Sequence, residues 1–175
     1  MIRLFLIVLI LCSHLVAKLF YLMPEEGARA EQAIEQSIQS ARSEIVLTLY
    51  TFTNKRLYKA LKAAAARDVK ILLIVDGKNL KSNLHYAKAP QLAKLKNVTV
   101  RVASGEKAEN GRYHGLMHLK VAVIDQKTVI HGSANWSHSA FSLNHELLFI
   151  EENNPHLAKA LLAALEPLIK GAKPY

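Results

Sequence analysis

The sequence predicts an α/β domain, a mixed, largely parallel β-sheet flanked by helices on both faces. Residues 44–51 (Glu-Ile-Val-Leu-Thr-Leu-Tyr-Thr) are β-branched and apolar, 55–67 form an alanine-rich helical stretch, and 69–75 are a second apolar run. Strand, helix and strand of these lengths make a right-handed βαβ unit with parallel strands. Further apolar runs at 98–102, 121–124 and 146–150 have the length of strands rather than helices and are bounded by turn-forming residues.

Ahead of that unit, Met1-Ile2-Arg3 precedes an apolar run from Leu4 to Cys12, followed by Ser13-His14-Leu15-Val16-Ala17-Lys18. One cation before a short apolar run is the layout of a secretory signal peptide or an N-terminal membrane anchor. Residues 1–23 are therefore assigned to targeting and residues 24–175 to the folded domain, with a periplasmic, secreted or membrane-anchored location. Cleavage after Ala17, lipid modification of Cys12, and an uncleaved anchor running on through Met23 are all open at this point. Leu11 before Cys12 disfavours the lipidated form. Cys12 is the single cysteine, so no intrachain disulfide and no cysteine-built zinc site can form.

Pro24-Glu25-Glu26 places a proline and two acids where a helix start favours them, and Ala28, Ala33, Ile34, Ile38 and Ala41 recur at helical spacing through Arg42. Residues 79–97 read as an irregular, partly helical crossover broken at Pro90, 103–115 as a polar, glycine-bearing loop, and about 155–169 as a closing helix. At 175 residues the chain can bury a full core as one domain. A formal charge of +9 attracts polyanions, either nucleic acid or anionic lipid headgroups, without choosing between them.

The chemistry concentrates between His118 and Asn135. His118 and Lys120 open a strand whose apolar body is Val121 to Ile124, and their i, i+2 spacing puts both side chains on one face. A short run from Thr128 to His131 pairs back and delivers Gly132, Ser133 and Asn135 to the same end of the sheet. An imidazole beside a fixed cation and a Gly-Ser loop is an anion site with a nucleophile in it. Asp125 lies seven residues along the strand from His118, roughly 20 Å in extended chain, and so is given a structural role.

His-x-Lys, four residues, Asp, six residues, Gly-Ser-x-Asn resembles the signature of the phospholipase D superfamily at all six specified positions: His118, Lys120, Asp125, Gly132, Ser133 and Asn135. The body from about 25 to 170 resembles the small single-motif bacterial endonucleases of that superfamily, the Nuc and NucT type. The resemblance implies a phospholipase D-like fold and a hydrolase that cleaves phosphodiesters, DNA above all, without a cofactor or metal. A phospholipase D or cardiolipin hydrolase acting on membrane lipid is the alternative.

In that scheme His118 attacks phosphorus and becomes a phosphohistidine, Lys120 neutralises a phosphoryl oxygen, and Ser133 and Asn135 donate hydrogen bonds. In-line displacement needs a second imidazole. With one motif per chain, the resemblance implies a homodimer that brings His118 of each copy to a shared site. It also implies that Glu146, opening the strand after the Gly-Ser loop, orients a histidine across the dimer interface.

Other residues carry weaker readings. His114 and His118 have metal-ligand spacing only on a helix, which Gly115 and the β pattern oppose. His131 reads as a packed, hydrogen-bonded histidine, and His85, His138, His145 and His156 as surface residues. Trp136 is a candidate base-stacking platform, or else packs the dimer interface or covers the active-site loop. Lys78, Arg112 and Tyr113 are candidate substrate contacts at strand ends facing the motif.

Overall fold

The computed structural model describes residues 20–175. The targeting assignment for the N-terminus therefore lies, up to residue 19, outside the described residues. Among the described residues no helix is long and apolar enough to cross a membrane.

The chain forms β1 (Phe20–Met23), α1 (Gly27–Ser40), β2 (Glu44–Leu49), α2 (Lys55–Ala66), β3 (Lys70–Asp76), α3 (Gly77–Ser82), α4 (Ala89–Leu92), β4 (Val98–Ala103), β5 (Lys120–Ile124), β6 (Thr128–Gly132), α5 (His138–Ser142), β7 (Glu146–Glu151), α6 (Pro155–Gly171) and β8 (Lys173–Pro174). The strands make one eight-stranded sheet in the order β1-β7-β6-β5-β2-β3-β4-β8. The expected βαβ unit is present, with β2 parallel to β3 and β3 parallel to β4. The expectation of a largely parallel sheet is corrected, because all other neighbours pair antiparallel. Only the stretch with helical crossovers can run parallel; the tight Asp125-Gln126 turn, both residues at positive φ, forces β5 and β6 to run antiparallel.

Alternation along β5 explains the layers. Ala122 and Ile124 face the main core with Ile34 and Ile38 of α1 and Leu57 and Leu61 of α2, whereas Val121 and Val123 face Leu157, Ala158, Leu161 and Leu162 of α6. α2 starts at Asn54, whose side chain accepts a hydrogen bond from Leu57 N at 3.0 Å.

The last four residues assigned to the targeting segment lie within the described residues. Phe20 to Met23 is the edge strand β1, paired antiparallel with β7, and Met23 is buried in the core. Loss of residues 20–23 would remove that strand and uncover the core beneath α1. The parity of β1 is that of a strand, with Tyr21 and Met23 turned inward and Phe20 and Leu22 exposed.

At the opposite end of the sheet from His118, the Asp125 carboxylate accepts hydrogen bonds from Arg42 N and Ser43 N at 2.8 Å each, Ser43 Oγ at 2.8 Å and Glu44 N at 3.1 Å. It ties the β5–β6 turn to the start of β2. Burial raises its pKa, but the bonds from Ser43, Glu44 and Arg42 outweigh that and hold it below the usual 3.8. A carboxyl whose pKa is depressed by folding stabilises above its unfolded pKa, and the contribution disappears as pH falls through the lower folded value. Asp125→Ala is expected to lower stability by about 1–2 kcal/mol, the modest end of the range because the carboxylate is partly solvated. The gap in melting temperature between parent and variant should narrow below pH 3.8 while activity per folded molecule persists.

Candidate active site

The site forms where β2 and β3 end and β5 and β7 begin. Two backbone anchors fix the approach to His118. Tyr50 N donates to Leu119 O at 3.0 Å, extending the β2–β5 ladder beyond the Leu49–Lys120 pair. Met117 N donates to the buried Asp76 carboxylate at 3.0 Å, and the same carboxylate caps α3 through Asn79 N at 2.7 Å. His118 thus sits between two fixed peptides although the preceding loop is exposed.

The His118 ring lies against the Tyr50 ring, with centroids 4.5 Å apart, and Lys120 Nζ is 5.4 Å from the Tyr50 centroid. Lys120 Nζ contacts His118 Nδ1 at 2.8 Å and donates to His118 O at 2.7 Å. Imidazole and ammonium are therefore contiguous, and a phosphoryl group touching one is in reach of the other. Lys120 is only 6% exposed. Burial lowers its pKa and the nearby Glu146 carboxylate partly opposes this, so the ammonium is poorly hydrated and correspondingly strong as an electrostatic partner.

From the neighbouring hairpin, Ser133 N donates to Leu147 O at 2.9 Å, Leu147 N donates to Ser133 Oγ at 3.1 Å, and Ser133 Oγ donates to Glu146. In this arrangement the Ser133 hydroxyl hydrogen is committed to Glu146, so donors to a phosphoryl oxygen come from Lys120 and Asn135. Asn135 Oδ1 accepts from Thr51 N at 3.2 Å, which fixes the amide orientation and leaves its N–H₂ as a donor. Glu146 also accepts from Asn144 Nδ2 at 3.4 Å. Within the chain Glu146 holds Ser133, not His118.

The sheet edge gathers His118, Lys120, Ser133, Asn135 and Glu146, and leaves Asp125 at the far end. Lys78, at the start of α3, and Arg112 and Tyr113, on the 104–116 loop, are exposed; among the described residues no hydrogen bond joins their side chains to the motif. Trp136 is 2% exposed and packs edge-on against Phe52, with centroids 5.9 Å apart, which removes the base-stacking and interface readings and leaves it as a packed residue of the site loop. His131 lies stacked on Phe149 and 3.3 Å from Glu151, on the α6 side of the sheet. Asp76 and Tyr50 escaped the sequence reading. The signal available for each was its place at the end of a parallel strand, where α/β sheets collect their sites.

A family model described as cardiolipin synthase, PLD-like domain, matches residues 34–168. The chain belongs to the phospholipase D superfamily. Among solved structures, this superfamily member is similar to NucT from Helicobacter pylori, with 31% identity and a TM-score of 0.84 over 89% of this chain and 97% of that one. It is also similar to Nuc from Salmonella typhimurium, a phospholipase D family member, with 26% identity and a TM-score of 0.73 over 89% and 95%. Mitochondrial cardiolipin hydrolase of Xenopus laevis is 29% identical over 133 residues, 75% of this chain and 57% of that protein. The chain spans about half the length of the cardiolipin hydrolases it matches.

Proposed function

We propose that this superfamily member is a metal-independent phosphodiesterase, an exported or membrane-associated endonuclease that cleaves DNA, or RNA, with little sequence specificity. The observation that carries the reading is the contact between His118 and Lys120, 2.8 Å apart, at a solvent-open edge that also presents the Asn135 amide. His118 attacks phosphorus, forming a nitrogen–phosphorus bond as the bond to the leaving oxygen breaks. Lys120 and Asn135 stabilise the charge on the phosphoryl oxygens. Water then hydrolyses the phosphohistidine and returns the enzyme.

The departing oxygen needs a proton from the far side of phosphorus, and among the described residues no second imidazole contacts His118. A homodimer supplies it as His118 of a second copy, protonated for the first step and a base for the second, a contribution worth about 10²- to 10⁴-fold. Glu146 is available to orient that histidine. The exposed Leu116, Leu119 and Leu143 around the site offer apolar surface for the second copy to bury.

The charge of +9 favours a polyanion, and the chain covers nearly all of NucT but about half of the cardiolipin hydrolases. The similarity to mitochondrial cardiolipin hydrolases supports the second reading, hydrolysis of cardiolipin or a related lipid diester by the same chemistry. Offering the purified protein DNA and cardiolipin vesicles separately in EDTA decides between them. DNA cleavage that survives EDTA is expected; lipid turnover without DNA cleavage sinks the nuclease reading. Sedimentation of the active species should give a dimer.

A further inference from the structure

Beside the motif, Asn135 also lines a second concavity of about 420 Å³, shared with Thr51, Thr53, Lys55, Tyr86 and Lys88, and no carboxylate lines it. Lys88 is the unusual member. It is 9% exposed, yet its ammonium makes no hydrogen bond or ion pair among the described residues. Its stem is covered while its ammonium faces the concavity, as long cationic side chains arrange themselves at a surface. Its backbone is held in place, with Lys88 N donating to Phe52 O at 2.9 Å and the residue forming the N-terminal boundary of α4, so the side chain is not displaced there by a mobile loop.

Two lysines in a polar concavity free of acids, one of them with a largely buried stem and an ammonium that no side chain of the described residues pairs, fit a bound anion. Continuity with Asn135 identifies which anion: one joined covalently to the phosphodiester at His118. Tyr86 also lines it and is 66% exposed, with His85 set at right angles to it at a 5.0 Å centroid distance, and an exposed aromatic ring is a platform for a base. Resting on the nuclease reading above, we infer that this concavity is a subsite for the next nucleotide of an unpaired strand. Lys88 holds the neighbouring phosphate from below, Lys55 meets it at the surface, and Tyr86 stacks on its base.

The subsite separates a strand from a single diester. Lys88→Met keeps the side-chain volume and removes the charge. Relative to the parent, it should raise KM for a short single-stranded oligonucleotide roughly tenfold or more, the worth of a charge-assisted contact. kcat should change less than KM. The selectivity for oligonucleotide over bis(p-nitrophenyl) phosphate should fall by the same factor, and the salt dependence of binding should lose about one counterion. Lys55→Ala, at an exposed position, should shift KM in the same direction and guards against a folding defect in the first variant. Tyr86→Ala should weaken an unpaired strand more than a duplex. Parent-like KM for oligonucleotide in both lysine variants, or equal losses on oligonucleotide and on bis(p-nitrophenyl) phosphate, overturns the subsite. A KM defect confined to cardiolipin vesicles overturns it too, by reassigning the pocket to a lipid headgroup. A parent enzyme that hydrolyses bis(p-nitrophenyl) phosphate but no oligonucleotide refutes the nuclease reading itself, a result separable from the others.

Discussion

His118→Asn is expected to remove phosphodiester cleavage almost completely, lowering kcat by at least about 10⁴-fold, as deletion of a covalent nucleophile does. Asparagine retains a polar group beside Lys120 but has no lone pair able to form a stable bond to phosphorus. The side chain is exposed and its backbone is set by the Tyr50–Leu119 and Met117–Asp76 contacts, so the melting temperature should stay close to the parent's. Oligonucleotide binding should survive, because the neighbouring cations and the Asn135 amide are untouched. Single-turnover assays with a labelled oligonucleotide measure this, and a variant that cuts within tenfold of the parent rules His118 out as nucleophile.

Gly132→Ala should produce an effect of a different kind. Gly132 pairs with Leu148 at the end of β6 with φ near +151°, a conformation that only glycine adopts without strain. A Cβ there would lie 2.1 Å from Leu147 O, on backbone that cannot step aside without opening the β6–β7 ladder. That ladder carries the Ser133–Leu147 and Ser133–Glu146 contacts. The substitution should therefore cost about 3 kcal/mol or more and lower the melting temperature by roughly 6–12 °C for a domain of this size. Residual folded protein should also lose activity, because the loop holding Asn135 begins at this residue. A Gly132→Ala protein that melts like the parent contradicts the backbone argument.

Much of the fold is legible in the chain because its determinants are local. The βαβ unit from 44 to 75 shows itself by alternation, helix-forming composition and length, and the His118–Asp125 separation alone removes Asp125 from the chemistry. Elements set by distant partners are not legible. β1 merges with the apolar run before it, since hydropathy cannot separate an edge strand from an anchor; pairing with β7 decides. β8 is two residues long and exists through its pairing with β4.

The same division holds within the site. The motif residues are visible by spacing, whereas Asp76 reads as a turn residue until Met117, 41 positions away, is brought to it. Trp136 lies between polar neighbours, which leaves stacking, interface and loop-packing roles open; burial against Phe52 follows from the loop folding back along the extension of β2. Lys88 has an ordinary surface composition around it, and only the packing of α4 buries it.

The most direct test of the account is to quench the full-length protein during turnover of a labelled oligonucleotide in EDTA and map the covalent adduct by mass spectrometry. The account predicts an acid-labile phosphoramidate on His118, formed and consumed at the rate of turnover and absent from His118→Asn. Turnover without any adduct on His118, or with the adduct on another residue such as Ser133, contradicts it.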